Sequence, residues 1–169
     1  PAPELTEEEQ AFIDGPVEEF CKMLDDWQIT HVDYDLTPEA WQFAKDNGMM
    51  EAYVEHDIKT MAPINYRVGM VIEKTGDKEA ALVGLCERTA CHYHLVLETQ
   101  AEPGKRSWKS PWGNVLNACK RMEMFDLTEQ EIHENWFVPR TLGYAKAMGV
   151  KIKVSDWNDD GIVTIELDE

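Results

Sequence analysis

The chain has 169 residues, of which 43% are hydrophobic and 29% are charged, and its net charge at neutral pH is −17. This length suits one domain, or one domain with a helical extension, and is enough to bury a core without disulfide bonds or metal ions. No apolar run approaches the roughly 20 residues that span a bilayer, and the acidic amino terminus is unlike a secretory signal, so we expect a cytoplasmic protein without a membrane span.

The negative charge is concentrated in the amino-terminal third. Residues 1–51 carry 14 acidic and 2 basic side chains, a balance of −12, whereas residues 52–149 carry 13 acidic and 12 basic side chains, a balance of −1. Such a surface repels nucleic-acid phosphates and anionic lipids, so the sequence predicts no nucleic-acid partner. A basic partner protein and plain solubility both remain open as explanations of the charge.

The cysteines predict free thiols. None has the C-x-x-C spacing of a zinc or redox motif, and the chain shows no export signal that would favour disulfide bonds. Cys21 and Cys119 fall within apolar helical stripes, where packing is the simplest role. The four cysteines are Cys21, Cys86, Cys91 and Cys119.

The segment 5–47 carries the clearest helix signals. Thr6 and Thr37 are predicted N-caps, and Pro38 would take the first helical position after Thr37. Gly48 would then end that helix in a left-handed conformation. The sequence therefore predicts an acidic helical region at this end of the chain.

The same segment contains LTEEEQAFIDGPVEEFC, followed by DWQITH and DLTPEAW. This pattern resembles the segment that precedes the flavin-binding fold in large bacterial acyl-CoA dehydrogenases of fatty-acid β-oxidation. The resemblance implies an acyl-CoA setting. Relatives carry FAD and a catalytic carboxylate on regions far downstream, and the 122 residues after Asn47 (169 less 47) are too few to hold both regions. No flavin-binding or catalytic residue of the family is therefore transferred to this chain, and FAD is not expected on it.

The middle of the chain leaves two interpretations open. Residues 49–61 predict a helix that Pro63 ends. Alternation over residues 66–72 then predicts a strand, with a hairpin return over residues 80–86. A helix over residues 78–88 is the alternative, and periodicity alone does not decide between these predictions.

Residues 91–99, CHYHLVLET, predict a strand with chemistry on one face. Alternation places His92, His94 and Glu98 on the same side, and the spacing HxHxxxE is used in metal-binding β-proteins. These three residues form the candidate metal site, which by ligand type would prefer zinc, iron, manganese or nickel. The alternative is a half-buried strand whose polar face meets water.

Two histidines can also act without a metal. Imidazole changes its charge near neutral pH, so His92 and His94 are candidate catalytic residues for general acid or base chemistry. Glu87 or His133 would supply a further group if the fold brings one of them close.

The segment 101–114 concentrates positive charge and aromatic rings in an otherwise acidic chain, and we interpret it as a loop. Its cations would bind an anionic ligand such as a CoA phosphate, and a tryptophan would stack on a flat ring. The alternative is an exposed loop with aromatic anchors. The candidate ligand-binding residues are Lys105, Arg106, Trp108, Lys109 and Trp112.

The carboxy-terminal part repeats the helix-start pattern and then changes to alternation. Thr128 and Glu131 form a predicted capping box, and Pro139 is expected to bend or end the first part of the helix. Alternating residues at 150–154 and 162–167 flank a turn and predict a β-hairpin.

The sequence as a whole predicts an α+β fold. We expect an acidic helical region over residues 1–62 and an α+β region over residues 63–169, in which packed helices cover a mainly antiparallel sheet. For function it favours a small enzyme or binding protein for an acyl-CoA or related anionic metabolite. A metal-dependent enzyme and a non-catalytic acidic accessory subunit, in contact with a partner protein or further copies, are the alternatives.

Overall fold

The computed structural model describes residues 30–87 and 99–168. The chain divides into two compact units, Pro1–Thr37 and Pro38–Glu169. In the first unit the described residues are 30–37, which are helical. The helices predicted before residue 30 and nearly all of the strand predicted at residues 91–99 lie outside the described residues. The packing described below belongs to the second unit.

The described helices and strands follow one another along the chain as two groups of elements. The helical elements are α1 (Thr30–Asp46), α2 (Met50–Thr75), α3 (Glu79–Leu82), the π-helical segment π1 (Val83–Glu87), α4 (Gly113–Arg121), α5 (Glu129–Ile132), the π-helical segment π2 (His133–Phe137) and α6 (Val138–Met148). The strands are β1 (Gln100–Glu102), β2 (Lys105–Lys109), β3 (Ile152–Val154) and β4 (Ile162–Leu167). Helices together with an antiparallel sheet make the fold α+β, as the sequence predicts.

Helix α1 ends where the sequence predicts and begins earlier. Gly48 adopts φ 63°, and the amide of Met49 donates to the carbonyl of Ala44 at 2.7 Å, which closes the helix. The predicted start at Thr37 is wrong, because Pro38 lies inside the helix. Pro38 is fully buried, and burial offsets the hydrogen bond that a proline removes from a helix.

Helix α2 is longer than predicted. It continues through Pro63 to Thr75, so the predicted stop at Pro63 and the predicted strand over residues 66–72 are both wrong. Tertiary packing decides this, because α2 lies along α6, and a Cβ built at Gly69 would lie only 2.9 Å from the carbonyl oxygen of Met148. The helix ends at Gly76, whose φ is 72°. The alternative prediction of a helix over residues 78–88 is confirmed by α3 and π1.

Within the described ranges, four strands form one antiparallel sheet in the order β1-β2-β4-β3. Strand β2 pairs with β4 from Lys105 opposite Glu166 to Lys109 opposite Ile162. Strands β1 and β2 are joined by a tight turn at Gly104, whose φ is 75°. The interpretation of residues 101–114 as a loop is therefore wrong for 101–109, because this turn lets two short strands pair on the edge of the sheet.

Two hydrophobic clusters stabilise the second unit. The first lies between the sheet and the helices α2, α3 and α6, and the second lies around Trp41 between α1, α4 and the α5–π2 run. Ile58 and Phe137 pack against both clusters and connect them. Among the helices of the described residues, none combines the length and the apolar character that a membrane crossing requires.

Candidate binding groove

An open groove lies between the end of α1, the first half of α2 and the run from α5 through π2 to the start of α6. Its volume is about 690 Å³, within the range of about 300–1,000 Å³ that is common for ligand sites. We call it the acidic groove. Its lining residues are Ala44, Lys45, Gly48, Met50, Glu51, Val54, Glu55, Ile58, Leu127, Glu131, Glu134, Asn135 and Pro139.

The acidic groove combines apolar and carboxylate side chains. The apolar lining comes from Ala44, Met50, Val54, Ile58, Leu127 and Pro139. The acids of the lining are Glu51, Glu55, Glu131 and Glu134. Lys45 is the single cation among the lining residues, so four carboxylates and one ammonium give the groove a formal charge of −3. Such a groove favours a ligand that is both apolar and positively charged.

The positive charge of Lys45 is already engaged. Its Nζ lies 2.9 Å from a carboxylate oxygen of Asp126 and 3.0 Å from one of Glu131. Partial burial opposes the charge of Lys45, but hydrogen bonds to these two carboxylates outweigh it and raise the pKa of the ammonium group. The lysine therefore remains charged at neutral pH and is held by the protein's own acids.

The carboxylate of Glu131 is held in its ionised form. Partial burial acts to raise the pKa of Glu131, but hydrogen bonds from Lys45 and Thr128 have the larger combined effect and lower it. The contacts with Thr128 form the predicted capping box, in which the Glu131 amide donates to the Thr128 hydroxyl at 3.1 Å and the Thr128 amide donates to the Glu131 carboxylate at 2.9 Å. The capping-box prediction is thus confirmed, and the cap also places one acid in the groove.

The π-helical segment π2 shapes the far wall. It buries His133 and Trp136, while Glu134 and Asn135 are exposed and face the groove. A π-helical turn inside a longer helix is uncommon and occurs frequently at functional sites. Pro139 follows in the first turn of α6, and the helical run continues through it to Met148, so the helix does not end at this proline.

An ion pair with a buried arginine fixes α2 against α6 beside the groove. Arg140, of which 4% is exposed, donates from Nε to Oδ2 of Asp57 at 2.5 Å, and the Tyr144 hydroxyl donates to Oδ1 of the same carboxylate at 3.0 Å. The guanidinium carbon lies 4.6 Å from the ring centroids of both Trp136 and Tyr144. Burial raises the pKa of Tyr144 well above its usual range, although the charge of Arg140 opposes this, so the hydroxyl stays a donor.

Three tryptophans, one of them on α1, pack against one another. Trp41 is fully buried and contacts Trp112 edge-to-face with ring centroids 4.9 Å apart, and its centroid lies 4.6 Å from that of Trp136. Trp136 in turn contacts Arg140, so the aromatic cluster and the ion pair are continuous. This connection holds the walls of the groove at fixed positions.

The structure does not test the predicted metal site. His92, His94 and Glu98 lie outside the described residues, and so does the side chain of Glu87. Across residues 30–87 and 99–168, no group of three histidine, cysteine or acidic side chains is arranged to hold a metal ion. The metal and acid–base hypotheses for the histidine pair therefore stay predictions.

The surroundings of His133 are those of a packed interior side chain. It is buried, and its Nε2 donates to the carbonyl oxygen of Ser155 at 2.8 Å, since a carbonyl can only accept. The imidazole ring stacks on Phe137 with centroids 5.7 Å apart and lies near Trp157. These contacts connect π2 to the segment after β3.

The predicted ligand-binding residues are distributed over different surroundings. Alternation along β2 buries Arg106 and Trp108 in the second unit, whereas Lys109 is exposed and Lys105 is partly exposed. Trp112 lies beyond the strand, against Trp41. The five side chains do not converge on one surface, and their role in binding an anion stays a prediction.

The two partly or fully buried cations of β2 have acidic partners within the chain. Arg106 donates to a carboxylate oxygen of Glu79 at 3.1 Å and to the carbonyl of Glu102 at 2.7 Å. Lys105 lies 3.1 Å from a carboxylate oxygen of Glu166 on the paired strand. The first pair joins α3 to the sheet, and the second pair joins β2 to β4.

The cysteines that the structure describes are packed. Cys86 and Cys119 are buried thiols, not halves of a disulfide bond, as the sequence predicts for them, whereas Cys21 and Cys91 lie outside the described residues.

No protein-family model matches this sequence, and no solved structure matches the chain with significant similarity.

The acidic groove itself is a site that the sequence did not indicate. Its acids come from α2 and from the α5–π2 run, about 80 residues apart in the chain, and each looks like an ordinary solvent-facing helical glutamate on its own.

Proposed function

We propose that this protein is a non-catalytic interaction module that binds a basic amphipathic helix of a partner protein in the acidic groove. The observation that carries the proposal is an apolar lining bordered by glutamates: Glu131 holds Lys45, and the other three of the four are exposed. Helix-in-groove recognition places apolar anchors at positions i, i+3 or i+4 and i+7 into such a groove. Lysine or arginine residues on the flanks of the helix would then meet the glutamates.

Electrostatics favours this partner over an anionic one. The net charge of −17 attracts a basic segment over a distance and raises its association rate. A CoA phosphate would meet like charges at the groove, because Glu51, Glu55 and Glu134 are all exposed there. As part of the same proposal we place the protein in the cytoplasm, where buried thiols such as Cys86 and Cys119 stay reduced.

The test is a titration of the full chain with two labelled peptides, followed by fluorescence anisotropy. One peptide is an amphipathic helix with leucines on one face and lysines on the other, and its matched partner carries glutamates in place of the lysines. We expect saturable binding of the basic peptide and no binding of the acidic one. The double substitution Glu51→Lys and Glu55→Lys should weaken it by at least about tenfold, which is about 1.4 kcal/mol.

A matched control variant separates the groove from general charge. Asp156→Lys with Asp160→Lys makes the same change in net charge at two exposed residues outside the groove lining, between β3 and β4. This variant should bind the basic peptide nearly as tightly as the wild-type chain. Equal weakening by both double variants, or binding of both peptides alike, would contradict a specific groove.

The acyl-CoA hypothesis is tested in the same assay. An acyl-CoA thioester is added as competitor and is also titrated directly by calorimetry. Direct binding that Lys105→Glu weakens, and that the groove variant leaves unchanged, would support the resemblance to acyl-CoA dehydrogenases in place of the interaction module. The acyl-CoA is anionic and the peptide is cationic, so the substitution that weakens binding of one should not weaken binding of the other.

A further inference from the structure

Helix α2 is divided in charge along its length. Residues 50–58 contain three acids and no lysine or arginine, whereas residues 59–75 contain three basic residues and one acid. The acids of the first half are Glu51, Glu55 and Asp57, and the basic residues of the second half are Lys59, Arg67 and Lys74, with Glu73 as the one acid. The first half lines the acidic groove, and the second half lies beyond it.

The second half of α2 exposes a broad apolar face. Its large apolar side chains are far more exposed than a folded domain needs, at 51% for Ile64, 63% for Tyr66, 69% for Met70 and 51% for Val71. At about 100° per residue these four lie on either side of the line through Arg67 and Lys74 and span about 160° of the helix. We call this surface the outer face of α2. Exposed apolar side chains on both sides of a central pair of cations suit a partner surface that offers apolar contacts together with carboxylates.

We propose that the outer face of α2 in one copy docks into the acidic groove of a second copy. The inference rests on the proposed function, because it uses the same groove, and it names the groove's partner. The outer face has the composition that the groove selects, namely exposed apolar side chains next to Arg67 and Lys74. The groove offers Glu51 and Glu55 to those cations and an apolar lining to the side chains on either side of them.

Pairing of two outer faces with each other is less favourable than docking into the groove. Arg67 and Lys74 lie at the centre of the face, so two faces in contact would bring four cations together with few acids. In the groove the same cations replace like-charge contacts by opposite-charge contacts. The charges therefore favour a head-to-tail arrangement over a symmetric dimer.

A head-to-tail contact does not close by itself. The groove and the outer face are different surfaces of one copy, so each added copy leaves one groove and one outer face open. The expected assembly is a chain or a ring whose size grows with protein concentration. This behaviour differs from that of a symmetric dimer, which stops at two copies.

The experiment is sedimentation velocity on the full chain at physiological salt, where the Debye length of about 8 Å screens the long-range repulsion between acidic copies. We expect the wild-type chain to form species larger than a monomer between about 10 and 100 µM, a range typical of weak transient contacts. The face variant Arg67→Glu with Lys74→Glu, and the groove variant Glu51→Lys with Glu55→Lys, should each remain monomeric. All four residues are exposed, and circular dichroism checks that both variants fold.

Mixing the two variants gives the decisive result. The groove variant keeps a native outer face, and the face variant keeps a native groove, so a mixture should form complexes of one copy of each and nothing larger. Self-association of the groove variant alone would overturn the inference in favour of a symmetric contact. Absence of a complex in the mixture would also overturn it.

Failure of this inference is separable from failure of the proposed function. The face variant should still bind the basic peptide, since its groove is unchanged. If the wild-type chain stays monomeric at 100 µM while the basic peptide binds the groove, the self-docking inference falls and the interaction module stands. If neither association nor peptide binding occurs, both are wrong.

Discussion

The two halves of α2 are held in the fold by different forces. In the first half, Asp57 forms an ion pair with the buried Arg140, and the same half lines the acidic groove. In the second half, Gly69 lets the helix approach the backbone of Met148, and Ile72 lies in the apolar core. The comparison teaches that one helix can be fixed by a directional polar contact beside a binding surface and by close apolar packing elsewhere.

The largest effect is expected from breaking the ion pair of the first half. Arg140→Met leaves the carboxylate of Asp57, whose side chain is 26% exposed, without its cation, so the free energy of unfolding should fall by about 2–3 kcal/mol. Urea denaturation monitored by tryptophan fluorescence measures the loss. Adding Asp57→Leu to Arg140→Met should restore much of it, because two apolar residues remove the uncompensated charge. A double variant as unstable as the single one would show that the polar contact is not what stabilises this half.

The second half should respond to a single methyl group. Gly69→Ala places a Cβ about 2.9 Å from the carbonyl oxygen of Met148, and a backbone atom cannot move aside easily. Overpacking costs typically about 1–3 kcal/mol, and alanine regains up to about 1 kcal/mol of helix propensity, so we expect a net loss of about 1–2 kcal/mol.

Gly84→Ala is the matched control for that substitution. Its new Cβ would lie 3.6 Å from Cγ2 of Val68, which is an ordinary van der Waals contact with a side chain. We therefore expect a smaller loss in the same urea experiment. A larger loss for Gly84→Ala than for Gly69→Ala would contradict the idea that close backbone packing fixes the second half.

The groove wall that faces the first half of α2 depends on a helix cap. Thr128→Ala removes the hydroxyl that accepts from the Glu131 amide, and loss of an N-cap costs typically about 1 kcal/mol. Thr128→Ser keeps the hydroxyl and should be nearly neutral. Because the cap positions Glu131, the alanine variant should also bind the basic peptide more weakly than the serine variant, which anisotropy measures.

The smallest effect concerns pH. Hydrogen bonds from Lys45 and Gln42 lower the pKa of Asp126, and hydrogen bonds from Lys45 and Thr128 lower that of Glu131 despite partial burial. Groups with a lowered folded-state pKa contribute stability that is present above their unfolded pKa values, near 4, and is lost as pH falls through the folded values.

Lys45 gives stability the opposite dependence on pH. Its pKa is raised, so its contribution is present below its unfolded pKa, near 10.4, and is lost as pH rises through the folded value. Midpoints of urea denaturation from pH 3 to pH 11 should show both losses, and Lys45→Met should reduce both. If Lys45→Met left both losses of stability unchanged, the network beside the groove would add no stability. The three groups are partly or fully exposed, so the effect should be modest.

Part of the fold follows from short sequence signals. The capping box of Thr128 and Glu131 and the stop at Gly48 require only neighbouring residues, and both are present as predicted. The antiparallel pairing of β3 with β4 also lies between segments close in the chain. Such features depend on local hydrogen bonds and on side-chain periodicity, which a sequence states directly.

Other features required the partner elements. Residues 66–72 alternate like a strand, and Pro63 predicts a stop, yet packing of Gly69 against α6 keeps them helical. The segment around Arg106 was interpreted as a loop, but the tight turn at Gly104 makes it part of a strand whose inward face meets Glu79. In both cases a local pattern was compatible with two structures, and tertiary contacts selected one.

By itself the sequence determined the acidity of the chain, the α+β class, the capping box at Thr128 and the helix stop at Gly48, because these depend on composition and near neighbours. The tertiary structure alone decided the acidic groove. Glu51 and Glu131 are 80 positions apart, and only the docking of α2 beside α5 and π2 brings their carboxylates to one opening. Contacts between distant segments are set by how faces of helices pack, and no short stretch of sequence contains that information.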